Sequence, residues 1–139
     1  MNEIAVIFWS GTGNTAAMAT AVVEGAGGQA KLINVNDITA DEAGQYDRLA
    51  LGCPSMGDEV LEEDVFEPFF TALESKLSGK KVVLFGSYDW GDGQWMRDWT
   101  DRTKAAGAVL CAEPLIVNLH PDANGLSQCR ALGAAIANA

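Results

Sequence analysis

Apolar residues along this chain fall into short runs separated by polar, glycine-rich stretches. Residues 3–8 form a nearly continuous apolar run of strand length, which suits a strand buried on both faces. Residues 14–25 are rich in Ala and Met, and Ala26-Gly27-Gly28 follows as a helix stop. The alternation continues. Residues 30–35 predict a second strand, 40–46 a weak helix, and 48–52 a short third strand ending at Cys53-Pro54. A long loop at 55–62 precedes a helix over 63–77. Val82-Val83-Leu84-Phe85, flanked by Gly79 and Gly86, marks the clearest strand, 81–85. A glycine-rich loop at 86–93 and a helix over 94–106 come next, with Gly107 as the stop. Residues 108–112 and 115–117 read as a fifth strand interrupted at Pro114, and 124–138 as the last helix.

Strands alternating with helices predict an α/β fold, a doubly wound five-stranded parallel sheet of order 2-1-3-4-5 with helices on both faces. Residues 1–139 form one domain in this reading, with no repeat, linker or low-complexity tract. Ligands of such sheets bind beyond the C-terminal strand ends, near the switch between strands 1 and 3. The loops after strands 1, 3 and 4 are the most unusual segments here, and all three converge on that rim.

The first loop runs Trp9-Ser10-Gly11-Thr12-Gly13-Asn14-Thr15. A strand-to-helix turn aims unpaired backbone N–H groups and a positive helix end at one point, which suits a phosphate. Gly11 and Gly13 permit the tight backbone; Ser10, Thr12 and Thr15 add hydroxyls and Asn14 an amide. No Lys or Arg precedes Lys31, so amides and hydroxyls alone must hold the anion. A Walker loop needs its Lys, so triphosphate hydrolysis is excluded. Gly11-x-Gly13-x-x-Ala16 matches a loose dinucleotide fingerprint, but a ring of hydroxyls suits a terminal phosphate monoester better. The plain alternative is an ordinary helix cap by Ser10 or Thr12.

The second loop, Ser55-Met56-Gly57-Asp58-Glu59, offers a polarizable Met56 beside Gly57, whose peptide is free to flip. A simple turn with Met56 tucked into the core is the alternative. The third loop, Ser87-Tyr88-Asp89-Trp90-Gly91, holds aromatics where no core element buries them, and Trp90 opposite Met56 would sandwich a planar ligand. Trp95 and Trp99, four apart on the next helix, read as core; the role of Trp9 is open. A phosphate at one loop and a flat ring between the other two define a phosphorylated aromatic mononucleotide, and FMN fits.

Charge narrows the partners. Net charge is −10 and the isoelectric point near 4.3. Nucleic acid and anionic membranes are therefore poor partners, whereas a basic protein is attracted. Mean hydropathy is +0.05, no run is long enough to span a bilayer, and Met1-Asn2-Glu3 begins no secretory signal, so a cytoplasmic location is expected. Cys53, Cys111 and Cys129 are odd in number and form no CxxC pair, which implies reduced thiols packed as small hydrophobes.

Together these segments resemble the short-chain flavodoxin family of the clostridial type, over essentially the whole chain. The resemblance rests on Trp9-Ser10-Gly11-Thr12-Gly13-Asn14-Thr15, on Met56 through Glu63, on Phe66-Glu67-Pro68-Phe69, and on residues 79–93 with Trp95-Met96-Arg97-Asp98. It implies noncovalent FMN and a role as a one-electron carrier; the Gly57 loop and the acidic field predict a low-potential carrier cycling between neutral semiquinone and anionic hydroquinone. It also implies that residues 10–15 bind phosphate and Trp90 stacks on one flavin face with Met56 by the other. The Gly57 carbonyl would meet N5–H and Glu59 would bond N3–H. Ser55, Ser87 and the stretch from Asn118 to His120 would lie near the ribityl chain or ring rim, with His120 otherwise a surface residue. One departure is Asp89, where many relatives carry Gly; that Gly implies an unusual φ or a close approach to the pyrimidine edge.

Asp58, Glu59, Glu62, Glu63, Asp64 and Glu67 crowd one side, with no Lys or Arg between Arg48 and Lys76. A unit charge ~10 Å away at an effective ε near 20 opposes a new anion by roughly 1.5 kcal/mol before screening. A few such charges would lower the second reduction by on the order of 100 mV. The same rim would dock redox partners with basic surfaces, such as reductases or ferredoxin-dependent enzymes, onto a monomer. No residue set is placed for nucleophilic, acid–base or metal catalysis, so the chemistry would belong to the cofactor. An FMN-dependent NAD(P)H or quinone reductase on the same fold is the rival reading. A cofactor-free receiver is a second, but it would need an acidic pair where Trp9-Ser10 stands.

Overall fold

The computed structural model describes residues 3–139; the reading of Met1 and Asn2 lies outside them. The elements follow in the order β1 (Ile4–Phe8), α1 (Asn14–Ala26), β2 (Ala30–Asn34), α2 (Ala40–Ala43), β3 (Arg48–Gly52) and α3 (Phe66–Glu74). Then come β4 (Lys81–Tyr88), α4 (Gln94–Ala105), β5 (Val109–Leu110), β6 (Leu115–Asn118) and α5 (Ala123–Ala137). Every strand pairing is parallel, and the order is β2-β1-β3-β4-β5, as the alternation predicts. The interrupted fifth strand resolves into two pieces on one edge of β4: β5 pairs with Lys81 and Val82, and β6 with Phe85 through Tyr88.

Period-2 alternation distributes the strand residues between two cores. Ala5, Ile7, Leu49, Leu51, Val82 and Leu84 face Phe66, Phe70 and Leu73 of α3 and Trp95 and Trp99 of α4. Ile4, Val6, Ala50, Val83 and Phe85 face Met18, Ala19 and Val22 of α1 and Cys129, Leu132 and Ile136 of α5. Both helix tryptophans are buried, as their spacing predicts, and Phe66 and Phe70 meet Trp99 edge-on at 5.5 and 5.8 Å. All three cysteines are free thiols; burial pushes Cys129 up to about 11 and Cys53 further still, so both are inert at neutral pH. Among the described residues no helix is long and apolar enough to cross a membrane, and no His, Cys, Asp or Glu group is placed to hold a metal.

Two elements depart from the sequence pattern. β4 runs on through Gly86, Ser87 and Tyr88, which the glycine-based reading assigns to a loop. Gly86 is there for contact: a Cβ at that position would lie 2.1 Å from the Cys53 carbonyl oxygen of the adjacent chain segment. Helix α3 starts at Phe66 instead of 63, because residues 64–66 wrap their N–H groups around the Glu62 carboxylate.

Candidate functional site

Three chain segments meet at the C-terminal rim of the sheet. Beyond β1, β3 and β4 they enclose a cleft of about 300 Å³, walled by Trp9, Ser10, Gly11, Thr12 and Asn14 on one side. Ser55, Met56 and Gly57 form a second wall, and Ser87, Tyr88, Asp89 and Trp90 a third. A wider groove of about 380 Å³ runs along α4 past Met96, Thr100 and Pro114, but neither the β1–α1 nor the β3–α3 loop reaches it. The convergence at the strand ends makes the first cleft the functional candidate.

Its floor is built for an anion. Gly13 takes φ 96° to turn the chain into α1, and the Ser10 hydroxyl accepts the N–H groups of Gly13 and Ala16 at 3.1 and 3.2 Å. The N-cap residue is Gly13, so Ser10 is no ordinary N-cap; its hydroxyl accepts from the first turn from outside the helix, and its own proton stays available to an acceptor in the loop. Among the described residues the N–H groups of Gly11, Thr12, Asn14 and Thr15 meet no protein acceptor. Four orphan donors at the positive end of a helix, with no Lys or Arg on the cleft wall, fit a phosphate held by hydrogen bonds alone. The residues present thus fit the phosphate of a mononucleotide. The Thr15 hydroxyl is used elsewhere: it is 1% exposed and pairs with Ser87 Oγ at 2.9 Å, tying the loop to β4. Thr15 and Gly13 are part of the loop without lining the cleft.

The second wall is a tight hairpin. Met56 and Val60 exchange both backbone hydrogen bonds, at 2.8 and 2.9 Å, around Gly57-Asp58-Glu59. Gly57 has φ 52° and Glu59 φ 58°. For glutamate that conformation is strained, by about 1–3 kcal/mol. The carboxylate offsets it: Glu59 Oε1 accepts the N–H groups of Asp92, Gly93 and Gln94 at 3.2–3.3 Å, at the N-terminus of α4. Glu59 therefore points away from the cleft wall and latches the hairpin to the β4–α4 loop, where the family resemblance places it on the ring. The close approach requires Gly91, whose Cβ would lie 2.2 Å from Glu59 Oε1. Met56 is exposed at the cleft, which rules out the turn with a core Met56. Asp58 sits at the exposed hairpin tip and does not line the cleft, and neither does Gly91.

On the third wall Trp90 is 60% exposed, a large apolar surface presented to the cleft. Asp89 lines the cleft without positive φ, so the conformational cost expected of a non-glycine residue there does not arise. Asn118 stands behind the wall and braces it: its Nδ2 donates to the Tyr88 and Asp89 carbonyls at 3.1 and 3.4 Å. Leu119, at φ 59°, lines the cleft within the stretch from Asn118 to His120 that the resemblance places near the ribityl chain or ring rim, and Pro54 lines it too, a residue to which the sequence reading gives no role. His120 reaches Asn14 at the other end of the cleft.

On the acidic side one cation, which sequence order does not show, offsets part of the charge. Arg102 of α4 grips Glu67 at 2.7 Å and Glu74 at 3.0 Å and holds the Glu67 carboxyl below the usual carboxylate range. That stabilisation is present above the ordinary carboxylate range and fades as pH falls through the lowered value. Glu59 and Glu62 are engaged at helix N-termini. Asp58, Glu63 and Asp64 remain exposed, and Glu63 approaches Gly57 beside the cleft.

The comparisons agree with this architecture. Residues 6–133 match the flavodoxin family model. The chain is 49% identical over 136 residues to the flavodoxin of Clostridium beijerinckii, covering 96% of this chain and 98% of that one. It is 47% identical over 139 residues to the flavodoxin of Megasphaera elsdenii, covering 98% and 99%. The solution structure of two-electron reduced Megasphaera elsdenii flavodoxin superposes with a TM-score of 0.88 at 44% identity, over 98% of this chain and 99% of that one. With its sheet order, its rim cleft and this near full-length similarity, the chain belongs to the flavodoxin family, FMN-binding electron carriers without substrate turnover of their own.

Proposed function

We propose that residues 1–139 are a single domain carrying one electron at a time at low potential, between the neutral semiquinone and anionic hydroquinone of a noncovalent FMN in the rim cleft. The observation that carries this reading is the set of orphan N–H groups at Gly11, Thr12, Asn14 and Thr15 in a cleft whose walls hold no basic side chain. FMN supplies the one-electron chemistry when bound; the chain binds, orients and biases it. The loop amides with Ser10 and Thr12 would hold the phosphate without neutralising it. Trp90 and Met56 would flank the ring. The Gly57 carbonyl, on a residue that accepts either sign of φ, is the acceptor suited to a protonated ring nitrogen. Ser55, Ser87 and Tyr88 would line the linker and ring edge, with Asp89 at the rim. Glu59 contributes by positioning the hairpin; its carboxylate serves the ring only through an oxygen left over from the α4 latch.

Electrostatics sets the direction. An uncompensated phosphate together with Asp58, Glu63, Asp64 and Asp89 disfavours a second negative charge in the cleft. Because Arg102 pairs with Glu67, and Glu59 and Glu62 face the positive ends of helices, the field is smaller than six free carboxylates would give. The exposed acids and the apolar Met56–Trp90 edge suit a transient, salt-sensitive encounter with a basic redox protein in the cytoplasm, the chain acting as a monomer. The test is anaerobic photoreduction of the FMN-loaded protein followed by absorbance. A neutral radical spectrum should accumulate to most of the flavin before full reduction, and a single two-electron step without it overturns the reading.

A further inference from the structure

We propose that His120, in its imidazolium form, supplies the missing positive charge at the phosphate end of the cleft, so that the hold on FMN tightens as the imidazole protonates. The inference rests on the FMN reading of the cleft. The chain has one histidine, and its Nδ1 lies 3.2 Å from Asn14 Oδ1. An amide oxygen only accepts, so Nδ1 donates. With its oxygen so held, Asn14 turns its Nδ2 donors the other way, and among the described residues Nδ2 meets no protein acceptor. Asn14 is both the first residue of α1 and a wall of the cleft, beside the orphan N–H groups of the loop. The imidazole therefore orients an amide donor toward the anion seat in either charge state. Its charge adds a second effect at a place where no Lys or Arg lines the cleft.

Among the described residues no carboxylate pairs with His120. On its own loop Asp122 is committed to the N-cap of α5, accepting Gly125 N–H at 2.8 Å. From the end of β4, the Tyr88 carbonyl accepts Leu119 N–H, and the Tyr88 and Asp89 carbonyls accept the Asn118 amide. The side chains of Tyr88 and Asp89 line the cleft. The first turns of α1 and α5 carry no acidic residue.

The phosphate monoester itself titrates near pH ~6, so the wild-type profile alone does not isolate the histidine. The ratio of FMN dissociation constants, His120→Gln over wild type, does. Gln keeps an N–H donor and removes the charge. Measured by flavin fluorescence on dilution of the FMN-loaded proteins at low salt, the ratio should be near 1 at pH 8.5 and rise to about fivefold at pH 5.5. The excess should shrink in high salt. His120→Lys should bind FMN at both pH values at least as tightly as wild type does at pH 5.5, after the phosphate's own titration is divided out with the Gln variant. In ³¹P spectra the bound phosphate should follow the imidazole titration in wild type and not in His120→Gln. A ratio that stays flat with pH while wild type binds FMN overturns the role of His120 alone. Failure of wild type to bind FMN at any pH overturns the cleft reading with it.

Discussion

Gly25→Ala lowers stability by about 3 kcal/mol or more, a fall in Tm of roughly 10 °C for a chain of this size. In most helices the same change is favourable, by up to ~1 kcal/mol, because Gly loses more backbone entropy on folding than Ala. Here geometry reverses the sign. A Cβ on Gly25 would lie 1.9 Å from the carbonyl oxygen of Arg130 in α5, and a Cβ on Gly133 of α5 would lie 2.0 Å from the carbonyl oxygen of Val22 in α1. The two helices touch backbone to backbone at glycines on both sides, so no rotamer change relieves the clash; the helices must separate. Separation would strip contacts from Met18, Ala19, Val22, Cys129 and Leu132, all buried in the core under β1 and β3. Because the α1 N-terminus forms one end of the cleft, FMN retention should weaken along with stability. Gly28→Ala is the control: a Cβ there meets nothing within 4 Å among the described residues. Urea unfolding at fixed FMN concentration separates the cases, since bound ligand adds to apparent stability. A Gly25→Ala midpoint within about 1 kcal/mol of wild type would show that the helices give way freely.

The strand order and the three site loops were legible because each rests on local signals: apolar runs of strand length, glycine stops, and loops whose composition no core element explains. What the sequence withheld depends on partners far along the chain. Gly86 looks like a loop residue until Cys53 is placed against it across the sheet. Glu67 looks like a free acid until Arg102, 35 positions on, closes on it. Thr15 resembles a phosphate ligand, yet its hydroxyl belongs to Ser87, 72 positions on. The family resemblance places Glu59 on the ligand, yet its carboxylate lies at the start of α4. The specific role followed from a contact that only the packed sheet creates.

The acidic segment shows how far that difference reaches. Of its six carboxylates, Glu62 is the one whose removal should cost most: Glu62→Ala is expected to lose about 3–5 kcal/mol, comparable to deleting a large core side chain. Glu62 is 6% exposed. Its two oxygens accept the N–H groups of Asp64, Val65 and Phe66, each at 2.8 Å, while its own N–H donates to Cys53 Sγ at 3.4 Å. Three charge-assisted bonds therefore satisfy the orphan donors at the start of α3, with the helix dipole adding to the attraction. Alanine leaves those N–H groups without an acceptor next to Phe66, which is fully buried. Glu62→Gln should lose about 2–3 kcal/mol, because one carboxylate oxygen becomes an NH₂ that faces donors it cannot satisfy. The damage should not stay local. Glu62 lies two residues beyond the Met56–Val60 hairpin, so loosening α3 releases the hairpin at its C-terminal end and with it one wall of the cleft. Amide exchange at Asp64, Val65 and Phe66 should accelerate in Glu62→Gln more than exchange in α1 does, and FMN should dissociate faster. Unchanged exchange at these three amides, with an unfolding free energy within about 1 kcal/mol of wild type, would mean that the cap contributes little and that packing of Phe66 and Phe70 alone sets where α3 begins.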